Sequence, residues 1–306
     1  MNLHAIQEQA LVTRASALGA VGKLPDGVSV DSFLTAASRV GDFDHYKVVP
    51  VEARNIVKQV ASSAGEIGVR AFLRAALAQG AINALGSAEL RRLPPAIVAA
   101  HTRELGRVVS NSDLHAEWLC LDNDLFQKEF GIVSFRLYAA GAQLVDPRCG
   151  VPRSYMLKGG LADAPRRVLT MLGLGGFRPF FQVHAHEFML DLLDEKGRED
   201  CYRGCIALFD LFPAVRGIIA GSWFYDPAVT VISPRVAYFS QTPLKHGGHV
   251  MFVEEGGQAA IDALATSPTR RRLHAEGKYV PKTYMLIWGK KQMIAWAARQ
   301  PQVAVA

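Results

Sequence analysis

The stretch FFQVHAHEFMLD, Phe180 to Asp191, sets two histidines, a glutamate and an aspartate directly behind an apolar run. Read as extended through residue 186, its side chains alternate. Phe181, Val183 and Ala185 point one way, and Gln182, His184 and His186 point the other. Two imidazoles on one face of a strand end suit a shared metal or a single substrate. Glu187 follows at once, and Asp191 comes one helical turn later. Imidazoles beside a carboxylate are acid–base chemistry, so His186, Glu187 and His184 are the proton-transfer candidates. A metal would need further ligands. KHGGH offers His246 and His249, but nothing ties that segment to HAHE, so the expectation is a site without metal. A metal-dependent hydrolase or oxygenase built on the HxH pair is the alternative.

Two further stretches carry polar groups in positions of interest. RGIIAGSWFYDP reads as a strand ending in Gly-Ser, then three aromatics, then Asp-Pro. Ser222, Tyr225 and Asp226 fall at the strand's C-terminal end, where α/β folds collect ligands. The Trp223–Tyr225 aromatics could instead serve a non-catalytic binding module. ATSPTRRRLHAEGKYVPK predicts a helix capped by Ser267 or Thr266, with Pro268 at its first position. Its Arg270, Arg271 and Arg272 could meet phosphate or carboxylate. GLGGF, residues 173–177, lacks the spacing of a dinucleotide or P-loop fingerprint.

The elements that must position these groups fall into two textures. Residues 1–112 read as a mainly helical portion. In EIGVRAFLRAALAQGA the apolar positions Val69, Phe72, Leu73, Ala76 and Leu77 share a helix face, Arg70 and Arg74 take the other, and Gly80 is a stop signal. Pro95 suits the first turn of the next helix. Residues 113–306 read as an α/β core carrying the site. GIVSFRLYAAG alternates like a half-buried strand, FRPFFQVHAHE and VRGIIAGSWFY read as strands, and REDCYRGCIALFDLFP reads as an amphipathic helix. TYMLIWG is apolar on both faces and belongs inside a sheet. The predicted class is α/β or α+β: an N-terminal helical portion, then a mixed-sheet core with flanking helices.

Composition narrows the function classes. The chain has 306 residues, half hydrophobic and 20% charged, the balance of a globular protein with a sizeable core. No apolar run is long enough to cross a bilayer, and the N-terminus does not read as a secretory signal, so a cytoplasmic location is expected. Four cysteines predict no disulfide scaffold. A net charge of +6 without a Lys/Arg tract suits an anionic small-molecule ligand better than nucleic acid. Oligomeric state stays open.

The order strand, helix, strand, a helix ending in LHAEGKY, then an apolar strand resembles the second half of the GNAT acyltransferase superfamily. Leu273, His274, Gly277 and Tyr279 follow the pattern in which that family's last helix meets its final strand. The resemblance covers roughly residues 130–295. It implies an N-acyltransferase that moves an acyl group from a thioester donor, acyl-CoA or an acyl-carrier thioester, to a small amine. It also implies a base at His186 or Glu187, an acid at His274 or Tyr279, and cofactor phosphates near Arg270, Arg271 and Arg272. The family's pyrophosphate loop has no close counterpart; DEKGRED holds one glycine and an excess of acids.

Overall fold

A computed structural model of the chain describes residues 2–41, 44–111, 113 and 116–300. It contains two compact units, Met1–Asp146 with Ala185–Leu192, and Pro147–His184 with Leu193–Ala306.

The first unit is helical: α1 Leu3–Val21, α2 Val30–Ala37, α3 Val51–Gly86, α4 Ala88–Arg92, α5 Pro95–Ser110 and α6 Asp124–Val133. Local chemistry sets the starts. Ser29 and Ser32 form a reciprocal capping box at α2, Ser87 caps α4, and Asn123 caps α6. Pro95 opens α5, as its sequence predicts. Phe33 joins the helices in the core, its ring edge-on to Phe72 at 5.7 Å and to Phe130 at 5.8 Å. A short antiparallel hairpin follows, with β1 Tyr138–Ala140 paired to the first residues of β2 Gln143–Cys149.

Three local expectations are corrected here. Gly80 does not stop α3 but lies buried inside it, because a Cβ there would come within 2.6 Å of the Val133 side chain. Arg74 does not face water. Its guanidinium lies 4.9 Å over the Trp118 ring and donates to the Val108 and Asp113 carbonyls, and burial lowers its pKa to about 10. GIVSFRLYAAG is a strand only from Tyr138. Its front half completes α6, whose Gly131 carbonyl accepts from both Arg136 and Leu137 N–H, with Phe135 at φ 52°. The end of a helix and its wrapping turn here mimic period-two alternation.

The second unit holds the mixed sheet. Its elements are α7 Ala164–Gly173, β3 Phe180–His184, α8 Glu195–Leu208, β4 Gly217–Ser222, α9 Val229–Ile232, α10 Tyr238–Lys245, β5 His249–Glu255, α11 Gly257–Ala265, α12 Pro268–Ala275, β6 Lys282–Gly289 and α13 Lys290–Ala298. Strands lie in the order β3, β4, β6, β5. β3 and β4 are parallel, with α8 as their crossover, and the other two pairs are antiparallel. The fold class is therefore α/β, a mixed sheet with flanking helices. β6 runs between β4 and β5, which is why TYMLIWG is apolar on both faces. Ser267 caps α12, and Gly277 at φ 66° ends its trailing turn, where the Lys278 N–H returns to the Leu273 carbonyl. Cys149, Cys201 and Cys205 are buried free thiols, and Cys120 is an exposed one. Among the described residues, no helix is long and apolar enough to cross a membrane.

Candidate functional site: a locked histidine and a strand opening

His186 belongs to the first unit and is buried. Its Nδ1 accepts the Phe188 amide N–H at 3.1 Å, so the ring proton resides on Nε2. That nitrogen lies 2.8 Å from Glu129 Oε1. Glu129, in α6, is also gripped in a two-bond fork by Arg107 of α5, at 3.1 and 2.8 Å. Arg107 Nε donates to Glu104 one helical turn away at 2.7 Å, and Arg103 donates to the other Glu104 oxygen at 3.0 Å. Phe188 covers the Arg107 guanidinium at 5.0 Å.

The network sets two carboxylates against two guanidiniums, with the imidazole beside one of the carboxylates. Burial alone would raise the Glu129 carboxyl. The His186 N–H and the Arg107 cation outweigh that and hold it below the ordinary carboxylate range. Both His186 nitrogens are engaged and the ring is out of water, so it anchors the segment after β3 and has no lone pair to offer a substrate. Glu187 is exposed, at the start of the six-residue 3-10 helix Glu187–Leu192.

His184 is the last residue of β3, half-buried, and belongs to the second unit. There the β3–β4 ladder is short and has an open end. The β3–β4 register consists of Phe181 opposite Ile218 and Gln182 opposite Ile219. Both strands run on, β3 to His184 and β4 to Ser222, while β4 stays paired to β6 through Ser222 opposite Tyr284. The β3–β4 register thus ends at Gln182 opposite Ile219, before either strand does, and this open end of the ladder lies at the C-terminal ends of two parallel strands. Gly221 is exposed there, and a Cβ on it would meet open space.

Past the opening the chain turns into the aromatic triplet. Ser222 Oγ accepts the Phe224 N–H at 3.3 Å and starts the turn. Trp223 and Tyr225 are buried, and Phe224 stacks on Phe239 at 4.4 Å. Arg198, on α8, donates to the Tyr225 hydroxyl at 2.7 Å and to the Tyr202 hydroxyl at 2.8 Å. Burial raises the Tyr225 phenol, against the pull of the Arg198 cation, so it keeps its proton at neutral pH. Asp226 Oδ1 accepts the Ala228 N–H at 3.0 Å, and burial raises its carboxyl as well.

The remaining sequence candidates sit around α12. Arg270 is buried over the Trp223 ring at 4.2 Å and bonds to the Ala263 carbonyl, Ser233 and Thr266. Arg271 bonds to the Leu264 and Ala265 carbonyls. Together they satisfy the carbonyls that the end of α11 leaves open. Arg272 is exposed, 3.9 Å from Glu276. His274 Nδ1 lies 3.0 Å from the Tyr279 carbonyl and donates to it. Tyr279 is buried, and burial with the nearby Asp226 charge pushes its phenol up to about 12.

Sequence reasoning missed Glu104, Arg107, Glu129 and Arg198. One signal existed for Glu129: a charge placed among the apolar residues of FQKEFGIV. Comparison of the chain with protein-family models, with curated proteins and with solved structures finds no match.

Proposed function

We propose that the chain is an N-acyltransferase that moves an acyl group from a thioester donor to a small amine. The observation that carries this reading is the open end of the ladder between the parallel strands β3 and β4. Ligands of α/β sheets bind beyond the carboxyl ends of parallel strands. An extended ligand with amides can hydrogen-bond to strand backbone beyond the end of a register, as an added strand does. The pantetheine arm of acyl-CoA or of an acyl carrier is such a ligand: a linear chain with two amides and a terminal sulfur. The element order from β3 through α8 and β4 to α12 and β6 supports the same resemblance to the GNAT superfamily.

In this reading the amine nitrogen attacks the thioester carbonyl. The C–N bond forms, the C–S bond breaks, and the sulfur leaves with the electron pair. His184 takes the proton lost by the nitrogen. Tyr225 accepts a hydrogen bond from Arg198, so its own O–H is free to protonate the departing sulfur. His186 acts at a remove, by holding the segment that follows β3. Calorimetric titration with acetyl-CoA, longer acyl-CoAs and a pantetheinylated carrier tests the donor. Saturable binding of one of them at one site per chain is expected. The absence of binding by all of them would overturn the reading.

A further inference from the structure

The GLGGF stretch has no part in the opening described above, yet its glycines have a physical cause. Gly175 and Gly176 have φ of 89° and 122°, and a Cβ at Gly175 would collide with Arg216 Nη1. The positive φ angles call for glycine, and the Arg216 guanidinium lies against the loop they form. Arg216 Nε donates to the Arg178 carbonyl at 2.7 Å, which fixes the orientation of the group. Arg178 lies against a glycine as well. Its stem lies against Gly150, where a Cβ would strike Arg178 Cγ and come within 2.7 Å of the Phe177 carbonyl. Arg153 lies over the Phe177 ring at 6.0 Å.

These three arginines line one cleft of 600 Å³ with Val151, Pro152, Gly176 and Phe177, and no carboxylate lines it. The ion pairs found among the described residues of this unit involve Arg166, Lys196, Arg272, Lys278 and Lys282 instead. Three like charges converging without a counter-charge repel one another, a cost that an anion removes. The volume is that of a small-molecule site, and oriented guanidiniums match phosphate oxygens two at a time. Arg178 and Arg216 precede β3 and β4, so the cleft lies at the strands' N-terminal ends, away from His184 and Ser222.

We infer that this cleft is a binding site for a small phosphate-bearing ligand, held by Arg153, Arg178 and Arg216. Arg216 is the central group, because its Nε bond to the Arg178 carbonyl fixes its guanidinium beside the glycine loop that lines the cleft.

The probe is inorganic pyrophosphate, titrated calorimetrically into the full chain at low and at physiological salt. AMP in a parallel titration distinguishes a phosphate ester from free pyrophosphate. Saturable binding of either probe, with Kd below about 1 mM and weakening as salt rises, is expected. Arg216→Gln and Arg153→Gln should each weaken it at least about tenfold, while Arg91→Gln, in the other unit, should leave it unchanged. Arg153 is exposed and holds no internal hydrogen bond among the described residues, so its variant keeps the test decisive if Arg216→Gln fails to fold. Silent titrations with both probes, or equal affinity in all three variants, would overturn the proposal. So would binding of heparin without binding of either probe, which would mean an extended polyanion surface.

Discussion

His186 Nε2 lies 2.8 Å from Glu129 Oε1 with both side chains buried, while the Phe188 amide occupies the other ring nitrogen. The tautomer follows from those two contacts, and so does the division of labour within HAHE. His186 holds the segment after β3, and the proposed function assigns the proton transfer to His184.

Glu129→Gln should therefore destabilise the chain by about 1–3 kcal/mol, because it leaves the half-buried Arg107 with one carboxylate where it had two. His186→Ala should cost about 1–3 kcal/mol for the lost hydrogen bond. Urea unfolding measures both. Activity per folded molecule should survive His186→Ala. A stable but inactive His186→Ala protein would return this residue to the catalytic list.

Acid should weaken the fold in a definable window. His101 is buried, its Nδ1 accepts the Ala139 N–H, and its ring stacks on Phe135 at 4.9 Å. Burial lowers its pKa from 6.5 to about 4. Between those values the unfolded chain binds a proton that the folded chain refuses, so stability falls as pH drops from 6.5 to about 4. The loss from this one group is about 3 kcal/mol. Glu129, whose pKa is lowered, adds a loss in the same direction at lower pH, as the unfolded carboxylate protonates first. In His101→Gln the slope of unfolding free energy between pH 6.5 and 4 should flatten. An unchanged slope would mean that His101 takes its proton inside the fold.

Gly80→Ala offers a test of packing against propensity. Within a helix the change alone favours folding by about 1 kcal/mol. The 2.6 Å approach to Val133 should override this and cost about 1–3 kcal/mol. In a Val133→Ala background the same change should become neutral or stabilising. A double-mutant cycle with no coupling would contradict the contact.

The interior position of β6 predicts that Ile287→Asp costs at least about 3 kcal/mol, since the carboxylate would be buried without a partner. A soluble variant with an unchanged melting temperature would remove β6 from the core.

Legibility in the sequence tracked the range of the interactions. β3, β4 and β6 were readable because alternation and two-sided apolarity are local patterns, and α12 because Ser267 and Gly277 mark its ends. The end of α6 was not, because Val133, Phe135 and Leu137 alternate for a reason other than strand pairing. Glu129 meets partners on α5 and on the segment after β3, far away in the chain, so no local pattern could bring them together. The β3–β4 opening depends on where a register stops, and composition carries no trace of that. Arg270 and Arg271 looked like ligand-binding cations because sequence shows their charge and hides the α11 carbonyls they satisfy.

The most direct measurement is release of free thiol from acyl-CoA or an acyl carrier in the presence of a panel of small amines. It is made on the native chain, His184→Gln and Tyr225→Phe, and normalised to folded protein. The account predicts amine-dependent thiol release by the native chain. It also predicts a fall of at least about a hundredfold in His184→Gln and a smaller one in Tyr225→Phe. Thiol release that needs no amine, or full activity in His184→Gln, would contradict it.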